Sequence, residues 1–263
     1  MRRFALLLLL CSPAYAARTS TTPLPSRPLM ITSEDHSLGT ADDCEHFHTQ
    51  NSTSLPSEAH SEEERDVALA GIDLVKVRAS ESGGVSVRGW DRPVARLTVC
   101  KSAAALTDAQ AQRSLANVSV SVRNGEIVAN GPDADANGAW WVHMILRVPK
   151  RSNVDVASAN GGIAIRNMTG KVTARATNGG ISLDAITGQI DAASENGSIS
   201  LKLQRDRAVP SLDAQIADGE ILCNAKACAG GWTENRKRLR VGSAAPMIRL
   251  STGRAPIIIE QSR

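Results

Sequence analysis

Aromatic residues are scarce, with four Trp, one Tyr and two Phe in 263 residues. A stacking-based nucleic-acid binder and a typical helical enzyme both carry more rings than that. Long apolar runs are missing too. Phe4 to Leu10 is an apolar run of seven, and nothing later approaches the ~20 residues that a membrane-spanning helix needs. No phosphate-binding loop, no His-Glu-x-x-His and no nucleophile elbow occurs. What remains is a chain with 42% hydrophobic residues and 20 glycines, the composition of a β protein built from Val, Ile, Ala and Gly.

The first 16 residues have the form of an export leader. Arg2 and Arg3 supply the positive start, and Ala14-Tyr15-Ala16 supplies the small-x-small site, which places cleavage before Ala17. Lipidation at Cys11 would want a small residue before it, and Leu10 stands there. Setting Cys11 aside leaves Cys44, Cys100, Cys223 and Cys228, an even number in an exported chain. Two disulfides are expected, out of three possible pairings. The short separation of Cys223 and Cys228 suits a small closed loop, which leaves Cys44 for Cys100; free thiols are the alternative.

Charge is uneven along the chain. Residues 17–66 hold ten acids against three bases, whereas residues 67–263 hold 17 acids against 25 bases. The acidic front is rich in Ser, Thr and Pro and nearly devoid of large apolar residues. It is expected to be a mostly disordered linker. The basic body could meet anionic surfaces such as envelope polymers or lipid head groups.

The body repeats itself. Asn160-Gly161-Gly162-Ile163 recurs as Asn178-Gly179-Gly180-Ile181 and as Asn196-Gly197-Ser198-Ile199, each 18 residues after the last. Val154, Val172 and Ile190 align, and so do Ile165, Leu183 and Leu201. Ser158, Ala176 and Ser194 form a further column. Alternation within each unit means strand, and the Asn-Gly and Thr-Gly pairs mean turns. Each unit is two strands and two corners. One such unit cannot offset the entropy of ordering its own backbone, so the units must stack and share a core. The expected fold is all-β: a parallel β-solenoid with coils of about 18 residues, occupying residues 67–263.

Asn160, Asn178 and Asn196 should form an amide ladder at one corner, with Asp218 as its next rung. The corner glycines are expected to supply positive φ. Leu212 to Ile221 reads as the following coil, and Ile248 to Leu250 with Ile257 to Ile259 as the last. Between them lies a long insertion, Asn224 to Ser243. Gly83 to Val87 and Asn124 to Ile127 read as earlier, degenerate coils. Trp140 to Val148 reads as an apolar strand entering the regular part.

Three features, the run Gly84-Val85-Ser86-Val87-Arg88-Gly89-Trp90-Asp91, Val148-Pro149 leading into the repeat, and the Asn-Gly-Gly-Ile coils, make residues 67–263 resemble the exported bacterial repeat proteins of the DUF4097 type, labelled "putative adhesin". The resemblance implies a β-solenoid in the cell envelope or outside it. It carries no catalytic residues with it.

Candidate sites are few. Cys44-x-His46-x-His48, with Asp42, Asp43, His36 and His60 near in sequence, could hold zinc or copper, although the spacing of a closed metal site is missing. Arg236, Lys237, Arg238 and Arg240, near Trp232, could form a projecting basic loop. Asp184 and Asp191 are the outward carboxylates of the regular coils, on opposite sides of the Thr187-Gly188 corner. His143 lies in an apolar run and reads as a packed strand residue. The expectation is therefore a non-enzymatic exported β-solenoid, a rigid surface for binding, adhesion or envelope assembly, with no cofactor. Its partner would be an envelope polymer, a surface or a protein, not nucleic acid. The alternatives are a polysaccharide-acting enzyme on the same scaffold and a periplasmic metal binder using the His-bearing front.

Overall fold

The computed structural model describes residues 43–45, 47, 54–69, 71–79, 82–133, 138–204, 211–225, 228, 231–233, 235–242 and 247–261. The expected leader and most of the acidic segment, with His36, Asp42, His46 and His48, lie outside these residues.

The first four strands are β1 (Ser57–Val67), β2 (Leu74–Arg78), β3 (Val85–Trp90) and β4 (Ala95–Ala105). Helix α1 (Asp108–Asn117) precedes β5 (Ser119–Arg123), β6 (Glu126–Asn130) and β7 (Gly138–Pro149). The regular repeats form β8 (Asn153–Ser158), β9 (Ile163–Arg166), β10 (Val172–Ala176), β11 (Ile181–Asp184), β12 (Ile190–Ser194) and β13 (Ile199–Leu203). Then come β14 (Leu212–Ile216), β15 (Ile221–Cys223), β16 (Arg238–Val241), β17 (Ile248–Thr252) and β18 (Ile257–Gln261).

These strands make two nine-stranded sheets around one shared core. The first sheet runs β1-β4-β7-β3-β9-β11-β13-β18-β15, and the second runs β16-β14-β17-β12-β10-β8-β2-β6-β5. Most pairings are parallel, because each coil passes once through each sheet in the same sense. The chain is thus mostly β and solenoid-like.

Like residues lie on like. Ile181 pairs with Ile163 on one side and Ile199 on the other, and Leu183 pairs with Ile165 and Leu201. In the second sheet Val172 lies between Val154 and Ile190. All nine side chains are at most 2% exposed. Burying a side chain of this size is worth about 1.5–3 kcal/mol, so these columns dominate the stability of the stack.

The order of the coils differs from their order in the chain. The coil β17–β18 is last in sequence but sits inside the stack, between β12–β13 and β14–β15. The opposite end mirrors this, since the coil β2–β3 lies inside β6–β7. Asp218 is therefore not the next rung after Asn196. Thr252 pairs with both Ser194 and Ile216, so the corner beside Asn196 belongs to Arg254, and Asp218 is one coil further out. The displaced outer coils are sealed by non-solenoid elements. Strand β16 pairs antiparallel with β14, and Leu239, Ala225 and Cys228 are buried over the core end. The expected insertion thus closes the stack.

Two further expectations are corrected. Residues 57–66, assigned to the disordered front, belong to an 11-residue strand paired antiparallel along the whole of β4. Its acids find partners there: Arg96 donates from Nε to Asp66 Oδ1 at 3.0 Å, and Lys101 Nζ pairs with Glu63. Charge balance from β4 makes the acidic sequence a strand, and its charged side chains protect the sheet edge. The ordered body therefore begins before residue 67. Likewise, the corner glycines of the regular coils, Gly161, Gly179 and Gly197, do not have positive φ, although Gly219 at the Asp218 corner does. They are needed because successive corners touch: a Cβ on Gly179 would lie 2.0 Å from the carbonyl oxygen of Gly161, and one on Gly197 2.0 Å from that of Gly179.

Candidate binding surface

The corners present the first regular polar feature. Asn178 donates from Nδ2 to Asn160 Oδ1 at 2.7 Å, and Asn196 donates to Asn178 Oδ1 at 2.8 Å. Beneath this amide ladder lie buried hydroxyls. Ser158 donates to the Gly83 carbonyl at 3.0 Å, Ser194 to that of Gly179 at 3.1 Å and Thr252 to that of Gly197 at 3.1 Å. The two serines of the column visible in the sequence, joined by Thr252, thus pin their corners to the coil beside them, while Ala176 between them has no hydroxyl to do so. The asparagines and serines serve the scaffold.

The outer faces carry charge in rows, because outward side chains at one register position stack from strand to strand. On the second sheet one row reads Glu126, Lys76, Asp155, Thr173, Asp191, Arg249, Asp213, Arg240. Its signs alternate, apart from the neutral Thr173. Two residues further along these strands, Arg78 forms a bidentate pair with Asp155 at 2.9 and 3.1 Å. Arg175 pairs with Asp191 at 2.8 Å, and Asp213 accepts from both Arg238 and Arg240. The Arg238 and Arg240 guanidiniums hold the Asp213 carboxyl below the usual range. The basic loop expected around Arg236 is therefore largely spent on its own sheet. Lys237 reaches the Gly219 carbonyl, and Arg236 lies 5.3 Å over the Trp232 ring.

The corresponding row on the first sheet reads Asp66, Arg96, Arg147, Arg88, Arg166, Asp184, Lys202, Glu260. Four arginines occupy adjacent strands. Arg96 is held charged by Asp66 and Glu64 at one end, and Asp184 stands opposite Arg166 at the other. Beyond Arg88 on the same face of β3 is Trp90, whose Nε1 donates to the Val94 carbonyl at 2.8 Å and whose ring is stacked by Arg92 at 5.0 Å. The sequence reading missed this row, because its members come from four strands scattered between positions 88 and 166.

A groove of about 1060 Å³ lies over the far ends of the second-sheet strands. It forms because Ala157 and Ala193 alternate with Arg78 and Arg175 along one row, leaving space between the long side chains. Glu195 and Asp218 also line it, separated by the corner of the β17 coil. By contrast, Asp184 and Asp191 lie on different sheets and do not meet.

His143 is buried on the outer side of β7, beneath the N-terminal segment. Its ring stacks on Phe47 at 5.4 Å, and its Nε2 lies 3.3 Å from Ser86 Oγ. Burial lowers its pKa to about 4, so the imidazole is neutral. A disulfide from Cys44 to Cys100 clamps the covering segment onto β4, and a second joins Cys223 to Cys228. This engages Cys44, and His60 Nδ1 lies 3.0 Å from Ser102 Oγ. Among the described residues no three His, Cys, Asp or Glu side chains come together as a metal site.

The family model described as Toastrack DUF4097 matches residues 72–253, most of the stack. The chain belongs to this family. Among solved structures, this Toastrack chain is similar to a "putative cell adhesion protein" from Clostridium sporogenes, at 10% identity and a TM-score of 0.50, covering 78% of this chain and 100% of the other. A "putative adhesin" from Bacteroides fragilis aligns at 10% identity with a TM-score of 0.36, covering 77% and 99%. The first of these likenesses concerns the fold. A search among curated proteins gave no match.

Proposed function

We propose that this Toastrack chain is an exported, non-enzymatic binding module of the cell envelope. The leader at residues 1–16 sends it out of the cytoplasm, and the end of the acidic segment docks on the first sheet as β1. The two disulfides support an oxidising compartment. The observation that carries the reading is the pair of outer faces. They bear charged rows on a rigid stack, while of two Ser–His contacts among the described residues, Ser86–His143 is buried beneath Phe47 and His60–Ser102 has its hydroxyl-bearing residue buried within β4. A surface of this kind binds an extended partner without reacting with it.

A second reading, hydrolysis of a polysaccharide, is favoured by Glu195 and Asp218 sharing one groove. One experiment separates the two. Purified mature protein is incubated with a native envelope fraction, and both its sedimentation and the release of soluble sugar are followed. Salt-sensitive co-sedimentation without sugar release is expected. Sugar release that disappears in Glu195→Gln would establish the enzyme instead.

A further inference from the structure

We propose that the groove on the second sheet holds an uncharged β-1,4-linked polysaccharide strand, laid along the stack axis between the Arg78–Ala157–Arg175–Ala193 row and the corner. This site is separate from the charged rows of the binding-module reading. Its ligand is neutral, and it is a cavity of about 1060 Å³ floored by small residues.

Charge decides against an ionic partner. Arg78 is matched by Asp155 at 2.9 Å and Arg175 by Asp191 at 2.8 Å, and both guanidiniums also donate to backbone carbonyls. They lean back along the strands, away from the corner, and the groove is the space this leaves. On the corner side stand the acids Glu195 and Asp218, with Arg254 on the coil between theirs. A polyanion would meet the two acids, and a polycation the three arginines, so neither finds a wall of one sign. What the walls offer is guanidinium, carboxylate and the Asn196 amide, groups that hydrogen-bond well to hydroxyls.

Periodicity then selects the polymer. The wall groups recur at every second coil. Arg78 and Arg175 are two strands apart with Ala157 between them, and Glu195 and Asp218 belong to coils separated by that of β17. Two strand spacings are about 9.6 Å. A β-1,4-linked chain turns over at each linkage, so like faces recur at every second ring, at a length close to two strand spacings. Each guanidinium and each carboxylate can therefore meet the same hydroxyls of successive disaccharides, while the methyls of Ala157 and Ala193 take the apolar faces of the rings. An extended peptide repeats at only roughly 6.6–6.8 Å per two residues. It would also need a free strand edge for its backbone, and β2, β8, β10, β12, β17 and β14 are each paired on both sides.

The test uses the full mature chain and the β-1,4-linked glucose hexamer, with the β-1,3-linked hexamer as the probe of wrong period. Binding is read by calorimetric titration at low and high salt, and the sugar is then analysed for shorter products. The parent should bind the β-1,4 hexamer with little salt dependence, leave it uncut, and bind the β-1,3 hexamer about tenfold more weakly or worse. Ala157→Leu/Ala193→Leu, which fills the floor, should lose about tenfold or more, and Ser182→Leu on the first sheet less than about twofold, with both variants folded by circular dichroism. Equal binding of the two hexamers, equal losses in the two variants, or no binding by the parent would overturn the proposal. So would cutting of the hexamer, which makes the groove an active site. Salt-sensitive retention on the native envelope fraction without binding of the hexamer defeats the groove yet leaves the binding module standing. Failure of both defeats both.

Discussion

The two outer faces are built on the same stack and solve the same electrostatic problem differently. Along the second sheet the row from Glu126 to Arg240 sets each charge beside its opposite, so the outer surface itself reports the register of the coils. Slipping one coil past the next by two residues would part opposite charges such as Asp191 and Arg249, and alternation therefore acts with the core columns to fix the stacking. Along the first sheet the row from Arg96 to Arg166 gives that advantage up over four strands. Compensation there comes from the ends of the row, where Arg96 pairs with Asp66 and Glu64 and Asp184 stands opposite Arg166.

The comparison depends on both rows being held in register by one interior, and the largest effect comes from breaking that interior. Ile181 lies between Ile163 and Ile199 and is 2% exposed. Ile181→Asp would place a carboxylate there without a partner, and a buried unpaired charge costs more than a small domain can spare. Loss of the β signal in circular dichroism and of any cooperative melt is the expected outcome. A melt near that of the parent would mean that the columns do not carry the stack.

The second effect belongs to the first sheet alone. His143 faces Ser86, Phe47 and Cys100, and burial lowers its pKa from the ordinary 6.5 to about 4. Between those values the unfolded chain binds a proton that the folded chain refuses. The stabilisation is complete above about pH 6.5 and is lost as pH falls toward 4, by on the order of 3 kcal/mol. Urea titrations at several pH values should show this slope in the parent and a flatter one in His143→Gln. The second sheet has no corresponding buried imidazole among its described residues.

Next in size is the corner. Gly179→Ala brings a Cβ to 2.0 Å from the Gly161 carbonyl oxygen, backbone against backbone, whereas Gly162→Ala meets nothing closer than 3.7 Å. The first should cost about 1–3 kcal/mol by forcing adjacent coils apart, and the second far less. Thermal melts of the two variants check the difference. Equal losses would mean that corner strain, not coil spacing, sets the glycine requirement.

The three regular coils were legible in the sequence because identical spacing puts each residue beside its own copy, and Ile163, Ile181 and Ile199 are local signals of that. The resemblance to the DUF4097 proteins rests on these coils together with the run Gly84 to Asp91 and Val148-Pro149. Topology at the ends was not legible. Whether the coil containing Ile248 joins the edge or enters the stack depends on strand pairing between distant segments, and one sequence carries no period for that. The strand from Ser57 to Val67 was hidden by its acids, which make sense only beside Arg96 and Lys101. The arginine row was hidden for a related reason. Its members are far apart in the chain and become neighbours only through β4, β7, β3 and β9. A basic run such as Arg236 to Arg240 is conspicuous in sequence, and the fold then neutralises much of it on Asp213.

The smallest effect is also the sharpest test of the opening contrast, because one kind of substitution should act with opposite sign on the two faces. Lys76 stands between Glu126 and Asp155, so Lys76→Glu sets three acids in adjacent strands and should destabilise by about 0.5–1 kcal/mol. Arg88 stands between Arg147 and Arg166, so Arg88→Glu sets an acid between two arginines and should stabilise by a similar amount. Both positions are exposed, and raising the salt concentration should shrink both effects together. Chemical denaturation at low and high salt measures the pair. If both substitutions destabilise at low salt, the contacts that Arg88 makes in the chain outweigh the charges of its strand neighbours, and the second sheet's alternation ceases to be an advantage that the first sheet lacks.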